Sequence, residues 1–284
     1  MNNTLLDISQ KIEPHKAAIL AAVSRAAQSR RFPFFVVGAA VRDFILQDGH
    51  DIRTPRATLD IDFGVCVSSW RQYRELIETL LMDEHFTKTN IEHRFRSPPP
   101  HEILIDILPF GAIEGPNHII IWPQNNREMN MVGFTEVFQT AIDVKISSDP
   151  LIIIKMVSLA GLAILKLLSW NDKPLERDRD AKDFRLIMYK YLYAKPVEYV
   201  FDVYPETASI GDYDMISAQV LGKDIKRIIS PSLSTIFSEI LIRESDVKGS
   251  LRFVQQMQET GIEWDEAITK DISMLQAVRK GIVD

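Results

Sequence analysis

The sequence predicts an α+β protein in two parts: a mixed sheet flanked by helices over residues 1–157, then a helical domain over residues 158–284. Three observations carry this. Val36-Val37-Gly38-Ala39-Ala40-Val41-Arg42-Asp43 reads as a strand, a glycine turn and a helix start. Leu59-Asp60-Ile61-Asp62-Phe63 alternates apolar and polar residues with the period of two expected of a half-buried strand. Near Ser158 the composition shifts from β-branched runs to helical spacing.

The elements follow in order. Leu5 to Ser29 has helical spacing at Ile8, Ile12, Ile19 and Val23, so one or two helices are expected against the sheet. Phe32-Pro33 ends them, and Phe34 to Val37 is the first strand. Val41 to Gln47 continues a helix, which Asp48-Gly49-His50-Asp51 closes. A polar loop from Ile52 to Ala57 leads into the aspartate strand, which runs on to Val67. Ser68 or Ser69 caps a helix over Trp70 to Asp83. Phe86 to Phe95 forms a short strand pair, and Arg94, Arg96 and the prolines at positions 98, 99 and 100 make a turn. His101 to Phe110 is a strand with Glu102, Leu104, Asp106 and Leu108 on one face. Ile119 to Trp122, Val137 to Ile146 and Leu151 to Val157 are further strands, the last marked by Ile152-Ile153-Ile154. Ser158 caps a helix over Leu159 to Trp170, and another runs from about Arg179 to Tyr193. The remainder reads as helices separated at Pro205, Gly222, Pro231 and Gly261.

The totals narrow the classes. At 284 residues the chain can bury one large core or two ordinary ones. A hydrophobic share of 46% and a charged share of 25% are those of a globular protein. A net charge of −6 gives no bulk attraction to nucleic acid, so any such contact needs a local basic patch. The single cysteine, Cys66, excludes an internal disulfide and is expected to be a buried thiol. Met1-Asn2-Asn3-Thr4 lacks a signal-peptide start, and Lys155 and Lys166 interrupt the most apolar stretch. These features predict a cytoplasmic chain with no membrane span. The six histidines show no zinc spacing, and no Walker loop, dinucleotide fingerprint or Gly-x-Ser-x-Gly elbow is present.

Chemistry concentrates in a few residues. Asp60 and Asp62 share one strand face, where two carboxylates repel unless a cation lies between them. Hard oxygen ligands suit magnesium, which also bridges phosphates, so the pair points to metal-assisted phosphoryl or nucleotidyl transfer. Asp106 is an acid inside an apolar strand; it either binds metal or pairs with an arginine such as Arg94 or Arg96. Lys166 either reaches a triphosphate or lays its stem on apolar surface with its head in water. Asp180 and Asp183 share a helix face and either orient Lys166 and a ribose or form a solvated helix start. Arg42 contacts phosphate or pairs with Asp43 or Asp60. Arg53, Arg56, Arg71 and Arg74 either guide an RNA acceptor or form a solvated face.

The ordered set Gly38 with Arg42, Asp60-Ile61-Asp62-Phe63, Ile105-Asp106-Ile107-Leu108-Pro109-Phe110-Gly111, Lys166-Leu167-Leu168 and Arg179-Asp180-Ala181-Lys182-Asp183-Phe184 resembles the nucleotidyltransferase superfamily with its polymerase-beta-like fold. Within it the chain looks like the AbiEii/AbiGii toxin-type nucleotidyltransferases, with weaker similarity reaching Ala218-Gln219-Val220-Leu221-Gly222. The resemblance implies a nucleoside triphosphate substrate and magnesium or manganese on Asp60, Asp62 and Asp106. Lys166 would act with the triphosphate, and Gly38, Ala39, Arg42, Asp180 and Asp183 would contact the nucleotide. It further implies an RNA acceptor, notably tRNA, or a protein or small-molecule hydroxyl, and an antitoxin protein as partner. One departure stands out: the family's second turn residue, glycine or serine, is Ala39 here, which offers no hydroxyl to a phosphate. Gly38-Ala39-Ala40-Val41-Arg42-Asp43 also looks like the opening of CCA-adding enzymes and bacterial poly(A) polymerases, without their Arg-rich segment. Two readings of other classes stay open: a non-catalytic nucleotide-binding module and a structural interaction protein.

Overall fold

Phe34–Val37 and Asp60–Cys66, the two strands that frame the glycine turn, lie side by side in the middle of one mixed sheet. The computed structural model describes residues 5–55, 58–258 and 264–284. Among these the chain divides into two compact units, 1–158 and 159–284.

The first unit contains β1 (Leu6–Asp7), α1 (Pro14–Ser29), β2 (Phe34–Val37), α2 (Ala39–Asp43), β3 (Asp60–Cys66), α3 (Trp70–Met82), β4 (Thr87–Lys88), β5 (Arg94–Arg96), β6 (Leu104–Phe110), β7 (Ile119–Ile121), β8 (Glu128–Asn130), α4 (Phe134–Gln139), β9 (Ile142–Ser148) and β10 (Leu151–Met156). The sheet order is β1-β9-β10-β2-β3-β6-β5-β4, with β7 and β8 forming a separate pair. Neighbours are parallel at β1/β9, β10/β2 and β3/β6 and antiparallel elsewhere.

Local chemistry explains the helix ends. Pro14 sits in the first turn of α1, where its fixed φ suits the helix and its missing N–H costs nothing. Ser69 caps α3, its hydroxyl accepting from the Gln72 amide at 3.4 Å. The buried face of α3 is Tyr73, Leu76, Ile77 and Leu80, one side of a helix, and the Tyr73 hydroxyl donates to the Ile107 carbonyl of β6 at 3.1 Å. Phe35, Phe110, Phe134 and Phe138 fill the layer between sheet and α4 with edge and tilted ring contacts.

Several sequence expectations are corrected. Leu6-Asp7 is not helical but pairs in parallel with Val144-Lys145, because the residue before Pro14 is held extended and the helix starts only there. Arg94–Arg96 is a strand, not part of the proline turn. Val137 lies in α4, entered through Gly133 in the left-handed region, so that strand begins at Ile142. Leu59 stands exposed ahead of β3 rather than on its apolar face. Cys66 is half-buried, not enclosed; burial still raises its thiol above the ordinary value, with Glu114 adding to the effect.

The second unit is helical: α5 (Leu159–Asp172), α6 (Asp178–Lys190), α7 (Tyr199–Val203), α8 (Tyr213–Lys226), α9 (Pro231–Ser245), α10 (Arg252–Met257) and α11 (Trp264–Val283). Gly222 does not break a helix; it lies within α8. A Cβ there would stand 2.0 Å from the Val278 carbonyl oxygen, so only glycine lets α8 and α11 touch backbone to backbone. Buried acids tie the helices together. Asp224 accepts from the hydroxyls of Tyr191, Tyr199 and Tyr204, and Asp271 accepts from Arg185 and Tyr189. No helix among the described residues is long and apolar enough to cross a membrane. Gly261, Arg56 and the first four residues lie outside the described residues.

Candidate functional site

The alternation of β3 sends Ile61 and Phe63 into the core, both almost fully buried, and leaves Asp60 and Asp62 together on the opposite face. Parallel pairing then sets Asp62 directly beside Asp106 on β6, and antiparallel pairing sets Asp106 directly beside Arg94 on β5. Asp62, Asp106 and Arg94 therefore form one row across three strands, on the face that Asp60 also occupies.

Gly38 follows β2 at the near side of this row. Its φ of 76° and ψ of −171° belong to a region open essentially to glycine alone. The place a Cβ would take lies 1.8 Å from Asp62 Oδ2. The absent side chain is what lets the Asp62 carboxylate lean over the turn, so Gly38 and Asp62 are one constellation. Ala39 opens α2 just beyond.

Arg94 holds the other end of the row. Its Nε donates to Oδ1 and its Nη2 to Oδ2 of Asp106, each at 2.7 Å, and Nη2 lies 3.7 Å from Asp60 Oδ2. Hydrogen bonding to Asp106, against some burial and helped by the charges of Asp106, Asp60 and Asp62, holds the guanidinium above the ordinary arginine value. Of the alternatives for Asp106, the structure displays the arginine pair. Among the described residues, no three His, Cys, Asp or Glu side chains are gathered as a ready cage for a metal ion. Asp60, with its side chain 41% exposed, and Asp62 place hard oxygen donors on one strand face, the donor type that suits one such ion. Asp106 has its charge met by the Arg94 guanidinium at both oxygens, which disfavours a second cation beside it in this arrangement.

His93 backs the row. Its Nε2 is 3.9 Å from Asp106 Oδ2, and its ring lies against Trp122, the centroids 5.5 Å apart. His93 Nδ1 and Trp122 Nε1 are buried and make no hydrogen bond within the protein. Burial is the main cause that lowers the His93 pKa, so the imidazole is neutral at pH 7. Sequence reasoning counted His93 among the histidines without zinc spacing and Trp122 as a strand end, and gave neither a place at the site. The signal for Arg94 was present in Arg94-Phe95-Arg96, where Phe95 is buried and the arginines flank it, a strand pattern read as a turn.

Arg42 is buried and turned to Asp43: Nε and Nη2 donate to Asp43 Oδ1 at 2.9 and 2.7 Å, and Nη2 also reaches Thr58 Oγ1 at 3.1 Å. Asp43 Oδ2 accepts from the Thr58 amide at 3.0 Å. The pair clamps the entry of β3 to α2. Arg53, Arg71 and Arg74 are exposed, and Arg71 pairs with Glu75 at 3.4 Å.

In the second unit Lys166 is buried on α5, its Nζ 2.7 Å from Asp180 Oδ1 and 2.8 Å from Asp183 Oδ2 on α6. Burial alone works to lower this lysine, but the two carboxylates outweigh it, and its pKa lies above the ordinary value. Its head is not in water, and Asp180 and Asp183 are not a solvated helix start: all three are buried.

No protein-family model matches the chain, and no curated protein matches it. Solved structures do. The antibiotic-resistance factor ANT(2'')-Ia, in solution, aligns over 70% of this chain and 97% of its own, with 13% identity and a TM-score of 0.38. An antigenic nucleotidyltransferase-like protein from Paracoccidioides brasiliensis aligns over 70% and 93%, with 15% identity and a TM-score of 0.39. A CCA-adding enzyme in complex with ATP aligns over 94% and 70%, with 15% identity and a TM-score of 0.33. At such scores the chemistry of this site stands on its own residues.

Proposed function

We propose that this chain transfers a nucleoside monophosphate from a nucleoside triphosphate to an acceptor hydroxyl. The observation that carries the reading is the Asp62-Asp106-Arg94 row, with Asp60 on the same face and Gly38 making room for Asp62. In the reaction the acceptor hydroxyl gives up its proton to solvent, its oxygen bonds to the α-phosphorus, the bond from that phosphorus to the α–β bridging oxygen breaks, and pyrophosphate leaves. A divalent ion, magnesium or manganese, on Asp60 and Asp62 would supply charge to the phosphates when bound. Gly38 keeps the approach to the turn free of side-chain bulk, and the backbone at Ala39 stands in for the missing hydroxyl. The Arg94 guanidinium adds fixed positive charge beside the carboxylates. The Arg42–Asp43 clamp fixes β3, and with it the spacing of Asp60 and Asp62. Lys166, with Asp180 and Asp183, orders the helical unit. RNA, notably tRNA, is the proposed acceptor class, with Arg53, Arg71 and Arg74 as exposed basic residues, and an AbiEii/AbiGii-type toxin working in the cytoplasm with an antitoxin partner is the proposed biological setting.

The test is incubation with each labelled nucleoside triphosphate, magnesium and total cell RNA or lysate. A labelled product is expected with the wild type and lost in Asp60→Asn with Asp62→Asn. A second reading, a nucleotide-binding module without transfer, is favoured by Arg94 occupying both oxygens of Asp106 and by Ala39. Magnesium-dependent triphosphate binding in calorimetry, with no labelled product in any fraction, selects it.

A further inference from the structure

Three carboxylates on one sheet face need positive charge nearby, and the row already holds some. Arg94 meets Asp106 by a planar fork, two hydrogen bonds of 2.7 Å, and its outer nitrogen lies 3.7 Å from Asp60. The contact is set by strand register, since Arg94 and Asp106 are direct partners in the β5/β6 ladder. It is therefore built into the sheet and does not depend on a surface side chain reaching in. A guanidinium cannot lose its proton at neutral pH, so this charge is permanent. It takes one lone pair on each Asp106 oxygen and sets a fixed positive charge against the carboxylate that a second cation would have to approach.

We infer that Arg94 is a built-in cation that takes the place of a metal ion at Asp106, leaving the face able to hold at most one divalent ion, on Asp60 and Asp62. One such ion together with the guanidinium balances the three carboxylates; a second would leave the face with excess positive charge before any nucleotide arrived. This deepens the nucleotidyl-transfer reading and rests on it only for the choice of ion. Two-metal transfer uses ions about 3.5–4 Å apart on shared carboxylates; here the second position is filled by protein.

Manganese titration followed by electron paramagnetic resonance tests this on the full chain, in magnesium-free buffer and without nucleotide. Arg94→Gln is expected to bind one more manganese per chain than the wild type, and Arg94→Lys, which keeps a positive charge, the same number as the wild type. Asp106→Asn, which needs no folded Arg94 variant, is expected to bind no more than one manganese ion, since the guanidinium stays and the second position gains no carboxylate. Two manganese ions on the wild type, no gain in a folded Arg94→Gln, or two ions on Asp106→Asn each overturn the inference while leaving the transfer reading standing. No ion on the wild type but one on Arg94→Gln supports the inference and removes the metal-assisted reading instead.

Discussion

Replacing Gly38 with alanine tests the tie between the glycine turn and the aspartate strand. The backbone at φ 76° and ψ −171° lies where a residue with a Cβ is strained by about 1–3 kcal/mol. The new methyl would also fall 1.8 Å from Asp62 Oδ2 and 2.7 Å from its Cγ, so the carboxylate must leave its rotamer at about 0.5–1.5 kcal/mol more. Together these make Gly38→Ala destabilising by about 1.5–4.5 kcal/mol. For a unit of this size each kcal/mol moves the melting temperature by about 2–4 °C, so thermal melts followed by circular dichroism should fall by about 6–12 °C at the middle of that range. The steric part depends on Asp62 and the backbone part does not. In an Asp62→Ala background the cost of Gly38→Ala should therefore shrink by about 1 kcal/mol, within the range of the displaced rotamer. A loss under 2 °C, or an equal loss in both backgrounds, refutes the reasoning.

The other expectations concern buried charge and close packing. Lys166→Met leaves Asp180 and Asp183 buried without their cation and should cost about 3–5 kcal/mol in urea unfolding, with partial recovery when both acids become asparagine; a cost below 1 kcal/mol contradicts the buried pair. Because the folded Lys166 pKa is raised, its contribution is whole below the ordinary lysine value and fades only as pH climbs through the folded one. Asp48 runs the opposite way: burial, foremost, raises it from 3.8 to about 6, so the folded state keeps the proton longer and stability falls as pH rises between those values. Asp48→Asn should raise the melting temperature at pH 7.5 and leave it unchanged at pH 3.5, and equal shifts at both would contradict this. Gly222→Ala would drive a methyl to 2.0 Å from the Val278 carbonyl and should cost more than about 3 kcal/mol, since backbone rather than a side-chain tip must yield. A melt unchanged from wild type would show that α8 and α11 have room to part.

Much of the scaffold was readable from periodicity alone. The alternation of Asp60-Ile61-Asp62-Phe63 placed both acids on one face, and the spacing of Tyr73, Leu76, Ile77 and Leu80 named the buried side of α3. What escaped was decided by partners distant in sequence. Leu6-Asp7 is too short to carry a strand pattern and becomes one only because β9 lies beside it. Gly222 looked like a break because glycine usually is one; its reason is the backbone of α11 more than fifty positions later. The fate of Asp106 was legible as a choice between metal and arginine, but only strand pairing selects Arg94 over Arg96, which lies opposite Leu104. Likewise Lys166 looked the same in sequence whether its charge met water or two acids.

The parallel ladder between β3 and β6 has one more consequence. Its pleat repeats every two residues, so a slip of a single position would turn Asp106 to the underside of the sheet and bring Ile105 or Ile107 up beside Asp62. A misaligned chain could keep nearly all its secondary structure and still lack the charged row. Chemistry at this face would thus report on fidelity of assembly more sharply than any spectroscopic measure of helix and strand content.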